Sequence, residues 1–369
     1  MIAIDWDNIC FNAATLIAGV FVLDYGADKF LDHTVIVGHR LGISPTLIAL
    51  LTAGAEYEEL AVVVAAILQG HSPLALGNVV GSAISNILGA FSLGLLCHTG
   101  RMQFDRSAKI YSALQFLITT LFVILAYLNQ LNKITGGLLI GGFVLYILSI
   151  GYAIYLGVTE APQLSDSDSD SDSDDDSSYH RPAAAGTDIV DPESRVAISE
   201  ESPLLPDGTA VEELKKPSRS LFYHIYQLLL GLIALSLSGY IVAHSAGALT
   251  ESFHLSGTVF GLTVIAFATT LPEKFISVLS GSRGQGGIVV AATAGSNIFL
   301  LTICIGVVAV TGIPVTNADN FVTFELATMW ISAACLLAIV FLGSSWVAGL
   351  VLLAGYIVFV VLEFTVYKR

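Results

Sequence analysis

Long apolar runs recur along this chain, separated by short polar stretches and by one long polar stretch near its middle. Ten runs stand out: 11–30, 43–69, 74–98, 107–129 and 134–157, then 221–247, 257–281, 286–311, 321–342 and 346–366. A helix needs about 20 residues to cross the hydrocarbon of a bilayer. Lipid offers no partner to an unpaired backbone group, so runs of this length predict helices. Short segments of strict apolar–polar alternation are absent, which argues against a barrel. The expectation is an all-α membrane protein with about ten transmembrane helices.

Composition strengthens the membrane reading. Of 369 residues 54% are apolar and only 12% charged, with a mean hydropathy of +0.78. A soluble domain of this size needs more charge to cover its surface. Nothing suggests a nucleic-acid partner; lipid and cations are the partners expected. The formal charge of −15 is uneven, because residues 158–219 hold 16 acidic and 5 basic side chains and carry −11 of it. Cys10, Cys97, Cys304 and Cys335 lie in or beside apolar runs without metal-site spacing and read as small buried side chains. The first ten residues lack a basic n-region, so a cleaved signal peptide is not expected.

Three regions follow: 1–157 with five spans, an acidic loop over 158–219, and 220–369 with five more. The loop contains alternating Ser and Asp from Ser165 to Asp174, then Asp175 and Asp176. Such a run repels itself and buries no apolar surface, so a disordered, solvated linker is expected, with weak Ca²⁺ binding or serine phosphorylation as alternatives. Lys29, Arg40, Arg101, Arg106, Lys109 and Arg283 fall in short loops on one side, against Lys133, Lys368 and Arg369 on the other. That bias places the first set, and the acidic loop, in the cytosol. Within the loop, Glu200-Glu-Ser-Pro-Leu-Leu205 matches an acidic dileucine pattern of the kind read by sorting adaptors. It favours a vacuolar or other endomembrane location over the plasma membrane, and the Asp/Ser run suggests a eukaryotic source.

Five spans per half is an odd number, so two homologous halves in sequence must sit in the membrane with opposite orientation. Homology is visible in the residues. The interval from Glu59 to Ser82, in Gly77-Asn-Val-Val-Gly-Ser82, equals the interval from Glu273 to Ser296, in Ala291-Ala-Thr-Ala-Gly-Ser296. The runs continue as Ala83-Ile84-Ser85-Asn86 and Asn297-Ile298-Phe299-Leu300. A carboxylate inside a membrane helix costs roughly 2.5–3.5 kcal/mol on insertion scales. Something must therefore neutralise Glu59 and Glu273. Small and polar neighbours, Ala53-Gly54-Ala55 in one half and Thr269-Thr270 with Pro272 in the other, predict helices broken at that depth. Carboxylates together with carbonyl and hydroxyl oxygens suit Ca²⁺, and the same cage could hold Na⁺ or protons. Competition for the same negative charge is a physical basis for exchange.

Phe267-Ala-Thr-Thr-Leu-Pro-Glu273 with Gly295-Ser-Asn-Ile-Phe299 resembles the second α-repeat of the cation/Ca²⁺ exchangers, the sodium/calcium exchanger superfamily. Glu59 with Gly77 to Asn86 resembles the first. The resemblance implies two inverted five-helix repeats with broken helices at the midplane and a secondary antiporter rather than an enzyme, with Ca²⁺ and Na⁺ or H⁺ as cargo and no cofactor. By position it implies Glu59 and Glu273 as central ion-binding carboxylates. Thr269 and Thr270 become ligands through carbonyl and hydroxyl, and Ser82, Asn86 and Ser296 polar ligands on the partner helices.

The departures bear on selectivity. Where the first repeat of the family reads Gly-Thr-Ser-Ala-Pro-Glu, this chain reads Gly54-Ala-Glu-Tyr-Glu-Glu59. Glu56, one helical turn from Glu59, either adds a third carboxylate ligand or, like Glu58, faces water or a vestibule. Leu300 stands where a carboxylate or amide is common and cannot bind a cation through its side chain. Lys274 is expected to snorkel or to pair away from the site, since adjacent helical residues point about 100° apart. These departures motivate a rival reading: a non-transporting protein of exchanger fold that senses Ca²⁺ or acts as a scaffold through its acidic loop.

Overall fold

The computed structural model describes residues 5–41, 56–98, 100–155, 220–312 and 321–367. The acidic loop, its dileucine pattern and the Ala53-Gly54-Ala55 stretch lie outside the described residues. Eleven helices are described: α1 (Trp6–Arg40), α2 (Tyr57–Leu68), α3 (Ser72–Leu96), α4 (Arg106–Tyr127), α5 (Lys133–Tyr155), α6 (Leu221–Phe253), α7 (Gly257–Thr269), α8 (Leu271–Ser282), α9 (Gly286–Thr311), α10 (Thr323–Leu342) and α11 (Trp346–Thr365). No strand occurs among the described residues.

Local chemistry sets the helix ends. Asp105 accepts a hydrogen bond from the Ala108 amide at 3.0 Å and starts α4; Ser256 and Ser345 do the same for α7 and α11 at 3.2 and 3.1 Å. These side chains satisfy amides that the first turn leaves without partners. Gly312 ends α9 in the left-handed region with φ +65°, where a residue without Cβ is unstrained. Seven helices are long and apolar enough to cross a membrane by length and composition, and α7 with α8 forms an eighth span, bent by 48°. The bend falls at Thr270, one residue before α8 begins, and Pro272 lies in the first turn of α8. Proline lacks the amide that would continue the ladder, and its ring crowds the carbonyl four residues back. Helix α5 is also apolar, and its Lys133–Ser149 stretch ranks with the shorter apolar helices.

Two spans are longer than their apolar runs. Lys29 and Arg40, expected in a loop, lie within α1. Lys29 rests 5.8 Å over the Tyr25 ring. Helix α1 packs along α6, so its polar C-terminal turns stay helical because the partner helix runs on beside them. The cysteines also depart from expectation: Cys304 is buried, whereas Cys10 and Cys97 are exposed. An apolar run does not by itself imply an inward position for every residue in it.

The inverted repeat appears in the packing. Helix α1 packs on α6 and α4 on α10, each pair being equivalent members of the two halves. Helix α5 packs on the C-terminal part of α9, and α11 reciprocally on the C-terminal part of α3. Exchanging the halves maps each pairing onto the other, which is the signature of a two-fold relation. The core is made by α3 and α9, which are far more buried than the outer helices. Outward faces carry large apolar side chains such as Phe222 and Leu342, as lipid contact requires. Helices α3 and α7 approach closely. A Cβ on Gly81 would stand 2.6 Å from Leu262 Cα, and one on Gly261 would stand 2.7 Å from the Asn78 amide nitrogen. Only glycine permits this spacing.

Three π-helical segments interrupt these central spans: Ser85–Phe91 in α3, Gly261–Ile265 in α7 and Leu300–Cys304 in α9. The first begins shortly after Ser82 and the third shortly after Ser296, so both halves widen the helix just past the Gly-Ser pair. Such bulges are frequent at functional sites.

Candidate cation site

The site lies where α2, α3, α7, α8 and α9 meet. Glu59, in the first turns of α2, is fully buried. Its Oε1 accepts hydrogen bonds from Ser82 Oγ at 2.7 Å and Thr269 Oγ1 at 2.6 Å. Its Oε2 accepts from Asn78 Nδ2. Ser82 and Asn78 belong to α3 in the first half; Thr269 ends α7 in the second. One carboxylate oxygen is thus held by both halves at once.

A second carboxylate group sits beside the first. Oxygens of Glu56, Glu58 and Glu273 lie within 4.8 Å of one another, with Glu56 and Glu273 buried and Glu58 half-buried. Ser296, on α9, donates to Glu56 Oε1. One oxygen of Glu273, Oε2, is buried and receives no hydrogen bond. Carboxylates this close repel one another, so the arrangement calls for a bound cation or a proton. Glu56 therefore joins the second group and does not face water. Glu58 lines a cavity of about 110 Å³ with Asp24, Val20, Thr269, Leu271 and Phe275.

Two anticipated ligands make their hydrogen bonds outside the glutamate groups, although Asn86 Oδ1, the atom that would bind a cation, is buried and receives none. Asn86 donates to Asn297 Oδ1 at 3.1 Å, and Asn297 in turn donates to the Ala83 carbonyl at 3.0 Å, which ties α3 to α9. Thr270 gives its hydroxyl to the Ala266 carbonyl at 2.6 Å and receives Lys274. Lys274 is 7% exposed and does not snorkel. Its ammonium pairs with hydroxyl and carbonyl oxygens, the pairing away from the glutamates that the helical angle suggested. Leu300 is fully buried and offers no donor atom.

Sequence reasoning missed Asn78 as a partner of Glu59. Its counterpart in the second half, at the same offset from Glu273, is Ala292, so the repeat comparison passes over it. The available signal was its position one helical turn before Ser82, on the same helical face.

Fold and site together define a multi-pass membrane protein of inverted-repeat architecture, with buried carboxylates gathered where broken and π-bulged helices cross. The chain belongs to the sodium/calcium exchanger protein family, whose pattern matches residues 11–151 and 223–365. The family is one of transporters, not enzymes, with Na⁺ and Ca²⁺ as cargo and no cofactor. The sodium/calcium exchanger MaX1 of Methanosarcina acetivorans is 24% identical over 387 residues, covering 96% of this chain and 99% of the relative. Among solved structures, native YfkE superposes with a TM-score of 0.62 at 16% identity, over 97% of this chain and 93% of that one. The sodium-calcium exchanger NCX_Mj gives a TM-score of 0.52 at 20% identity, over 95% and 98%. At these identities the superpositions speak for the fold.

Proposed function

We propose that this chain exchanges Ca²⁺ for Na⁺ or H⁺ by alternating access, binding its cargo between Glu59 and the Glu56–Glu58–Glu273 group. The observation that carries the reading is the Glu59 oxygen shared by Ser82 of one half and Thr269 of the other. A ligand set divided between two halves is made and unmade when the halves move relative to each other. Ca²⁺ takes about 6–8 oxygens, and carboxylates with hydroxyls supply a set of that hardness. Glu59, Glu273, Glu56, Ser82, Thr269 and Ser296 are the proposed ligands. Thr270 and Asn86 border the site through Lys274 and Asn297. The names of MaX1 and NCX_Mj support Na⁺ as the counter-ion, with H⁺ as the competing candidate.

Around this core we place two five-helix repeats, 1–157 and 220–369, joined by a cytosolic acidic linker over 158–219. Glu200 to Leu205 serves as a sorting-adaptor signal directing the protein to the vacuole or another endomembrane.

The test is flux in reconstituted vesicles with ion substitution. An imposed Na⁺ or H⁺ gradient drives Ca²⁺ uptake, and Glu273→Gln reduces it at least tenfold, which corresponds to about 1.4 kcal/mol. No uptake under either gradient, together with an unaffected Glu273→Gln, removes the exchange reading and leaves the Ca²⁺-sensing or scaffold alternative.

A further inference from the structure

Lys274 is a buried cation inside a transporter of cations, and the groups around it are those a free cation would use. Its Nζ lies 3.0 Å from Ser85 Oγ, 3.1 Å from the Thr270 carbonyl oxygen and 3.4 Å from the Phe267 carbonyl oxygen, and it also contacts Thr270 Oγ1. The face of the Phe267 ring closes one side, its centroid 4.8 Å away. The two hydroxyls stand 2.9 Å apart. Thr270 turns its proton toward the Ala266 carbonyl and so presents a lone pair to the ammonium.

The cage draws on both halves, Ser85 from the π segment of α3 and the rest from the break between α7 and α8. Its oxygens are two carbonyls and two hydroxyls, with no carboxylate. Neutral oxygens of this kind suit a monovalent cation, whereas a divalent ion needs formal negative charge to offset its dehydration. Gly89 in the same π segment leaves room for the lysine stem: a Cβ there would stand 3.3 Å from Lys274 Cε. An ordinary structural lysine in a membrane protein sends its ammonium toward water along a flexible stem. This one is held in place by a π bulge, a broken helix and an aromatic face.

We propose that Lys274 is a tethered cation occupying a monovalent-cation subsite built from Ser85, Thr270 and the Phe267 carbonyl, so that exchange proceeds with one fewer free monovalent ion per cycle. This rests on the cation-exchange reading for its consequence in transport, but the subsite itself is a binding claim and is testable without flux. Removing the ammonium while keeping the oxygens frees a cage for an ion of similar size. K⁺ matches an ammonium most closely; Na⁺ and Li⁺ are smaller, and choline is too large to enter.

The experiment compares wild type with Lys274→Ala and Lys274→Gln in detergent, by thermal unfolding against Li⁺, Na⁺, K⁺ and choline, and then in vesicles. Expected for the Ala variant is a saturable upward Tm shift in K⁺ or Na⁺ about 5 °C larger than wild type shows in the same salt, and absent in choline. In vesicles the apparent Hill coefficient for the monovalent ion rises by about 1 in the variants. If Lys274→Ala is recovered folded only when K⁺ or Na⁺ is present, the subsite is also supported. A folded variant whose salt dependence is no greater than that of wild type overturns the proposal, as does failure of both variants to fold in any of the four salts. If wild type carries no Ca²⁺ but the Ala variant gains monovalent-cation stabilisation, the exchange reading fails and the subsite stands.

Discussion

Glu56→Gln and Glu59→Gln are similar changes with opposite expected signs in the cation-free protein. Glu56 lies within 4.8 Å of Glu58 and Glu273, oxygen to oxygen. At that separation and an effective dielectric constant of about 20, each charged pair costs about 3.5 kcal/mol. Glu58 is half-buried, and solvent screening reduces its share. Removing the Glu56 charge should therefore stabilise the empty protein by on the order of 1–3 kcal/mol when all three carboxyls are ionised, and by less when they share a proton, since a Gln oxygen still accepts from Ser296. Glu59 is the reverse case. Its oxygens already receive Ser82, Thr269 and Asn78, and a hydrogen bond to a charged group is worth roughly 1.5–3 kcal/mol. A Gln there aims its amide at one of three donors and should destabilise the empty protein by about 2–4 kcal/mol. The measurement is thermal unfolding in chelator, followed by Ca²⁺ titration. In chelator Tm rises for Glu56→Gln and falls for Glu59→Gln, and the Ca²⁺-induced shift shrinks by comparable amounts in both. If Glu56→Gln lowers the chelator Tm and keeps the full Ca²⁺ shift, Glu56 is a structural acceptor for Ser296 and not a cation ligand.

Ser82→Ala and Thr269→Val each remove one donor to the same Glu59 oxygen, and each should weaken stability by about 1–3 kcal/mol. Because they share that acceptor, the double variant should depart from additivity by about 0.5 kcal/mol or more. Strict additivity in a double-mutant cycle would show that the two hydroxyls do not act on one oxygen. For the acidic loop, Leu204→Ala with Leu205→Ala should move a fluorescently tagged protein away from the vacuolar or endosomal membrane, and unchanged imaging would dismiss the dileucine signal.

The architecture was legible because membrane helices announce themselves. Nine of the ten apolar runs have described helical counterparts over most of their length, and Tyr57–Leu68 covers the C-terminal end of the tenth. The pairing of Glu59 with Ser82 was legible from spacing shared between halves. Other features were hidden for identifiable reasons. The π segments leave no mark in composition, since a single extra residue in a turn preserves apolar character. The Glu56–Glu58–Glu273 group depends on which way α2 faces α8, and adjacent glutamates read equally well as a solvated turn. The angle between Lys274 and Glu273 fixes where the lysine Cβ points but not where a four-carbon stem ends.

The two halves preserve a backbone plan but not its chemistry. Asn78 faces Ala292 across the repeat, Ser85 faces Phe299, Asn86 faces Leu300, and Lys274 faces Leu60. Each polar member has an apolar counterpart, so repeat symmetry points to none of them. The first half contributes four carboxyl groups near the site, Glu56, Glu58, Glu59 and, in the cavity that Glu58 lines, Asp24; the second contributes Glu273 and the Lys274 ammonium. Five carboxyl groups and one ammonium are thus gathered around the α7–α8 break and around π bulges that belong to both halves. A symmetric site would present the same charge to both halves. Here the halves are electrostatically unequal, and the lysine stands on the half that has fewer carboxylates to balance it. In the proposed exchange cycle a free cation would leave that cage as the halves part, whereas a covalently held one would travel with α8, so the asymmetry would be retained throughout.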